Sequence, residues 1–259
     1  MAARPTFDAR EGARQWLVIA IASLVAAGLL AVLLVVGRLP GIAGLFHDAL
    51  LFKRALVVHV DLSFIVWFYA FIALLAFLLP STERPSVLGK YSGRIAFVGI
   101  GTLATAALVP GASPVLSNYV PVIDHPIFVA GLAIFAFGVL CAVLDRRLLP
   151  PDHGLGFFHV SESPAAGIRA AVMVLVLAAL TFLASSITTS RGLPAETYYE
   201  LVVWGGGHVL QFANVAAMSA VTAPTTITIC ATIGAWANST ALRPTMYTPA
   251  VTIVAACMS

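Results

Sequence analysis

Charge is what this chain has least of. Asp, Glu, Lys and Arg make up 10% of its 259 residues and hydrophobic residues 60%, with a mean hydropathy of +0.99. A soluble domain carries about a quarter charged residues, so a soluble globular fold is excluded. Cysteine is also scarce. Cys141, Cys230 and Cys257 lack metal-ligand spacing and imply no disulfide framework, which leaves them as small apolar packing residues. Histidine is limited to six, none of them after His208. His47, His125, His153 and His159 fall in connections or at the ends of apolar runs, and none forms a zinc-type pair. The net charge of +3 is accounted for by the loop charges that orient membrane helices. It calls for no nucleic-acid partner.

What the chain has instead is long apolar runs. About 20 apolar residues span the hydrocarbon of a bilayer as a helix. By that measure there are six spans: Trp16–Val36, Ala55–Leu79, Ile95–Pro110, Ile127–Leu144, Ala170–Ile187 and Tyr198–Met218. The expected fold class is all-α, a polytopic transmembrane helix bundle of about six spans with an irregular Thr-rich tail. Residues 1–15 read as a cytoplasmic N-terminal segment, 16–218 as the six-helix domain and 219–259 as a divergent tail. The first span has too long an apolar core for a signal peptide, and no small-x-small cleavage site follows it before Arg38, so it reads as a retained helix.

Basic residues set the expected orientation. Arg4, Arg10 and Arg14 precede span 1, Arg84, Lys90 and Arg94 lie between spans 2 and 3, and Arg146, Arg147 and Arg169 between spans 4 and 5. The opposite connections, 118–125 and 190–199, hold only Arg191. The positive-inside rule places the N-terminus in the cytoplasm of an inner (plasma) membrane. Arg38, Lys53 and Arg54 run against it, and Leu45–Leu56 reads as a short amphipathic interfacial helix that would tolerate them. Spans 2 and 6 then both start at the outer face. His59 and His208 lie roughly 6 Å and 15 Å below the outer ends of these runs, in the same half of the bilayer.

An imidazole in hydrocarbon is costly and usually faces a bundle interior or a cofactor. On span 2, a straight helical period puts His59, Ser63, Val66 and Ala70 on one face. The small residues below the imidazole would let a flat macrocycle or another helix approach. Asp61 points elsewhere, as a proton-handling group or an interfacial acid. On span 6, His208 follows three glycines, Gly205, Gly206 and Gly207, with Trp204 one turn before and Gln211 and Phe212 one turn after. Three glycines weaken a helix by about 1 kcal/mol each. They fit a backbone against which something bulky must pack. That pattern suits a metal ligand lining a cofactor cavity, or a glycine-faced helix crossing with one polar contact.

Residues 12–218 resemble the first half of subunit I of the haem-copper oxidase superfamily, which includes cytochrome c oxidases and nitric oxide reductases. The resemblance rests on His59 near the outer end of helix 2 and His208 in helix 6, with matching orientation. It implies that His59, with Ser63 beside it, is an axial ligand of a low-spin haem. It implies that His208 binds copper, or non-haem iron as in the reductases, with Gln211, Trp204 and Asp61 as weaker contributors. It also implies further oxidase subunits and a cytochrome c or quinol electron donor. Two departures stand out. Phe212 occupies the position of the tyrosine that many oxidases cross-link to this histidine and of the glutamate of typical nitric oxide reductases. The family's remaining ligands are histidines in later helices, and this chain has none.

Past Met218 the composition changes. Residues 220–259 hold nine threonines, against eight in the preceding 219 residues, and Pro224, Pro244 and Pro249 interrupt the apolar stretches. One weak span, Ile227–Trp236, is too short to cross. The break coincides with the loss of expected ligands, so the tail reads as frameshifted or prematurely ended translation. Absence of a His-His pair and a later His-x-His in both other frames of the coding DNA would reject this. Three functions stay open: an oxidoreductase subunit reducing O2 or NO, a non-catalytic membrane protein such as a small transporter or assembly partner, and a haem-binding anchor using His59 alone.

Overall fold

The computed structural model describes residues 7–43, 48, 50–79, 86–116, 120–145 and 162–239. All six expected spans are helices: α1 (Phe7–Val36), α2 (Leu51–Leu78), α3 (Val87–Thr105), α4 (Pro126–Leu144), α5 (Glu162–Thr188) and α6 (Ala195–Ser239). A single turn, Pro40–Ala43, follows α1, and a 3-10 turn, Ala106–Leu108, closes α3. The six are long and apolar enough to cross a membrane, and the chain is a multi-pass, all-helical bundle. The one small sheet among the described residues pairs β1 (Ser113–Val115) with antiparallel β2 (Val122–Asp124), Pro114 opposite Ile123, in the connection from α3 to α4.

Side-chain bonds at the two ends of the bundle fix its up-and-down order. At one end, Trp16 of α1 donates from Nε1 to Ser92 Oγ of α3 at 3.1 Å. At the same end, the Ser86 amide before α3 donates to Asp145 Oδ1 after α4 at 2.7 Å. At the other end, Tyr199 at the start of α6 donates to Asp124 Oδ1 of β2 at 2.9 Å. Helices α2, α4 and α6 therefore all begin on the hairpin side.

Three local expectations change. Span 3 begins eight residues earlier than its apolar run, at Val87 rather than Ile95. Ser86 caps it, accepting from the Gly89 amide at 3.1 Å, and a capped first turn with exposed Lys90 and Arg94 keeps its charges at the interface. The interfacial helix expected at Leu45–Leu56 is not seen where the structure describes it: residues 51–56 are the opening turns of α2, and 44–47 and 49 lie outside the described residues. Its charges are not uniformly exposed either. Arg54 is fully buried, donating from Nε to Ala107 O (2.9 Å) and from Nη1 to Ala112 O (3.3 Å), and pairing with Asp48. A guanidinium is well placed there, because the last carbonyls of a helix lack intrahelical partners and carry its negative dipole end. Finally, the helix of span 6 does not break at Pro224 but continues to Ser239. Neighbouring structure and local adjustment tolerate proline in membrane helices.

The bundle is held by small residues at helix crossings. A Cβ on Gly99 or Gly131 would collide with the backbone of Phe135 or Leu103 across the α3–α4 contact, and one on Gly138 would lie 2.7 Å from the Ala96 amide nitrogen. Such contact replaces hydrophobic driving force, which lipid does not supply. Helices α5 and α6 form a second tight pair, and α1 packs mainly on α2.

Candidate functional site

His59 is half-buried on α2, about eight residues below Leu51, or roughly 12 Å along the helix. Its Nδ1 lies 2.8 Å from the carbonyl oxygen of Ala27 on α1. A carbonyl only accepts, so Nδ1 carries the proton and donates, which leaves the lone pair on Nε2. Metal-bound histidines are oriented in this way by a second partner on the other ring nitrogen. The residue itself therefore fits an axial ligand of haem iron.

Just below, the helix widens. Asp61–Val66 forms a π-helical turn between two α-helical stretches. Such turns are rare and concentrate at functional sites. A π turn holds one more residue than an α turn, so it shifts the register of everything beneath it. The face that sequence periodicity assigns as His59, Ser63, Val66 and Ala70 is not the face that forms. Val66 and Ala70 are fully buried at 0% exposure. The half-exposed stripe below His59 and Ser63 is completed by Trp67 and Phe71, whose rings stack with centroids 6.4 Å apart at 17°. Ser63 stays on the stripe but spends its hydroxyl on its own helix, donating to His59 O at 2.8 Å. Where small residues were expected beneath the imidazole, an aromatic ladder stands.

The polar residues off that stripe face inward. Asp61 is fully buried, and neither carboxylate oxygen has a hydrogen-bond partner among the described residues. Tyr69, also buried, meets the side chain of Asn214 on α6, a polar contact between the helices that bear the two histidines.

His208 lies about 13 residues into α6, roughly 20 Å from its hairpin end and close to the middle of the span. Its Nδ1 is 2.6 Å from Trp204 O, and its ring lies 4.4 Å from the Trp204 ring. The same tautomer argument directs the Nε2 lone pair away from the helix. Trp204 and Phe212 are exposed at 57% and 69%, and Gln211 is exposed with them. Gly205 and Gly206 face α5. A Cβ on Gly206 would sit 2.6 Å from the Phe182 ring of α5, and one on Gly205 3.2 Å from Thr181 Cγ2. The bulky group packed on that backbone is Phe182.

In both histidines Nδ1 thus lies at hydrogen-bond distance from a backbone carbonyl, of α1 for His59 and of its own helix for His208. Among the described residues there is no group of three or more His, Cys, Asp or Glu side chains that could hold a metal ion. His125 caps α4, its Nδ1 accepting from the Ile127 amide at 3.3 Å. His47, His153 and His159 lie outside the described residues. Sequence reasoning missed Trp67 and Phe71, because a π turn has no signature in the order of residues. It also missed Arg54, although a cation at the head of an apolar run is a signal that could have been followed.

No protein-family model matches the chain, and no solved structure matches it. An uncharacterized protein of Aquifex aeolicus (strain VF5) is 32% identical to it over 199 residues, covering 77% of this chain and 49% of that protein. An uncharacterized protein of Rickettsia prowazekii (strain Madrid E) is 26% identical over 229 residues, covering 77% of this chain and 44% of that protein. The chain spans about half the length of the curated relatives it matches.

Proposed function

We propose that this chain is a haem-binding membrane subunit of a respiratory, haem-copper-type terminal oxidase, with His59 as the axial ligand of the haem. The observation that carries this reading is the bond from His59 Nδ1–H to Ala27 O, which holds Nε2 ready to ligate from a helix widened immediately below it. Trp67 and Phe71 offer a stacked aromatic wall on the same side. When bound, haem supplies reversible one-electron storage. The protein's part is to fix the imidazole, keep water from the iron and line up the route onward.

His208 would give one ligand to copper or non-haem iron. It stands at a greater depth on α6, with its own Nδ1 held by Trp204 O. In this reading Ser63 stands beside the haem ligand, and Gln211, Trp204 and Asp61 are weaker candidate contributors. The reducible substrate is O2. The alternative is a nitric oxide reductase-like subunit, since Phe212 stands in place of both the oxidase tyrosine and the reductase glutamate. The membrane is the inner (plasma) membrane with the N-terminus in the cytoplasm, and the partners are other oxidase subunits and a cytochrome c or quinol donor.

A specific observation supports a second reading, a non-catalytic membrane protein. Gly206 packs against Phe182 and Gly205 against Thr181 of α5, as in an ordinary helix crossing. A reduced-minus-oxidised optical spectrum of the purified protein separates the two. The oxidase reading expects a haem band that disappears in His59→Ala while helical content by circular dichroism is kept. A folded wild-type preparation with no haem band, or one whose band survives His59→Ala, overturns it.

A further inference from the structure

The outward face of α6 differs from the other outward faces of the bundle. Leu201, Trp204, His208, Gln211, Val215 and Met218 recur at alternating steps of three and four residues, which puts them in one stripe along the helix. All are exposed except His208, which is half-buried. Ala213 and Ala217 lie two residues on from Gln211 and Val215, hence on the far side of the helix, and both are fully buried. Elsewhere the outward faces are aliphatic: α1 exposes Ile21, Val25 and Leu29, and α5 exposes Leu177, Leu180 and Leu183. Gln211 breaks that rule. It stands one turn beyond His208, near the middle of the span, and its side-chain amide makes no hydrogen bond among the described residues. An amide left unpaired in hydrocarbon is costly, and polar side chains at that depth almost always face a bundle interior. One turn back, the Trp204 and His208 rings lie 4.4 Å apart, so the stripe is already packed along its upper part.

We propose that this stripe is the interface of a parallel homodimer, in which α6 of one copy packs on α6 of its partner and the two Gln211 amides hydrogen-bond across the two-fold axis. The alternation of three and four is the spacing of a helix seam, which packs one helix on another at about +20°. Copies in one membrane share a topology, so their two-fold axis runs along the membrane normal and the helices meet in parallel. In a parallel pair each seam position meets its own counterpart. Glutamine suits such a meeting, because its amide carries both donors and an acceptor and two of them satisfy each other. A charged residue would repel its copy, and the seam from Leu201 to Met218 holds no Asp, Glu, Lys or Arg. Size agrees with a second copy as the occupant. The matched segment fills about half of each curated relative, so those proteins carry as much chain again to cover a face that two copies here cover for each other. The dimer is independent of any haem or metal.

Fluorescently labelled protein in phosphatidylcholine vesicles, counted by single-molecule photobleaching at falling protein-to-lipid ratios, tests this alongside cysteine cross-linking in a background lacking Cys141, Cys230 and Cys257. Wild type bleaches in two steps, beyond chance co-capture, and passes to one step only on dilution. On mild oxidation Val215→Cys, on the seam, gives a disulfide-linked dimer, whereas Leu177→Cys, also exposed but on α5, does not. Gln211→Leu keeps its helical content by circular dichroism and associates roughly tenfold more weakly. One-step bleaching of wild type at every dilution overturns the proposal; a lipid-facing α6, or one covered by a different membrane protein, would give that result. Cross-linking of Leu177→Cys as readily as Val215→Cys also overturns it, and so does an association that Gln211→Leu leaves undiminished. Should a variant fail to fold, the step count of wild type decides.

Discussion

At the scale of single residues, two buried ionisable groups on α2 behave oppositely. Arg54 is satisfied: it spans two backbone carbonyls and Asp48. Replacing it with alanine strands those acceptors, and the expected loss is about 3 kcal/mol of unfolding free energy. Lysine should recover little of it, because a single ammonium cannot reproduce the planar fork of donors. Unfolding in mixed micelles measures both. Asp48 gives the pair a pH limit. Its hydrogen bond from Arg54 and the Leu50 amide hold its carboxyl below the usual range. The folded value lies under the unfolded one, so the contribution is complete above about pH 4 and is lost as pH falls through the lowered value. Asp48→Asn should abolish that acid-limb loss. Asp61 is the unsatisfied case, with both oxygens unpartnered among the described residues. Asp61→Leu is expected to raise stability by about 2 kcal/mol. An equal fall would mean that the carboxylate has a partner there.

At the scale of elements, the π turn and the glycine crossing make separate predictions. Deleting Phe64, an exposed residue within the turn, removes the extra residue and returns α2 to a single α register. The packed lower half, including Ile72 and Ala73 at 0% exposure, should hold its place, so the upper half turns and His59 leaves Ala27. If the proposed haem binding holds, the haem band is lost with helicity kept, read by optical and circular-dichroism spectra together. On α3, Gly101 has open space where its Cβ would be, whereas Gly99 meets the backbone of Phe135. Gly101→Ala should therefore stabilise by up to about 1 kcal/mol, and Gly99→Leu should destabilise by about 3 kcal/mol or more. These elements also show what was legible beforehand. Apolar length found all six spans, since a helix is the structure in which one apolar segment satisfies all its own backbone groups in lipid. Periodicity found His59 and Ser63 as neighbours but failed two turns on, because one inserted residue rotates every later side chain. The helix starts at Val87 and Leu51 were hidden because their first turns carry Lys90, Arg94 and Arg54, which hydropathy counts as loop.

At the scale of the whole molecule, the up-and-down order requires Leu116, exposed beside the hairpin, and exposed Lys90 to face opposite sides of the membrane. In a background lacking Cys141, Cys230 and Cys257, single cysteines at these two positions should label with an impermeant maleimide from opposite sides. Labelling of both from one side would reject the order. Charge counting anticipated this alternation, while the bonds that enforce it, Trp16 to Ser92 and Tyr199 to Asp124, join residues too far apart in the chain to be paired from their spacing. Helices α5 and α6 bind chiefly each other, and their ties to the rest are sparse, among them Tyr199 to Asp124 and Tyr69 to Asn214. A molecule drawn out of a bilayer from its C-terminal end should therefore release these two helices together, in one force step, before the other four. The mechanical weak line of the molecule thus runs between His59 and His208.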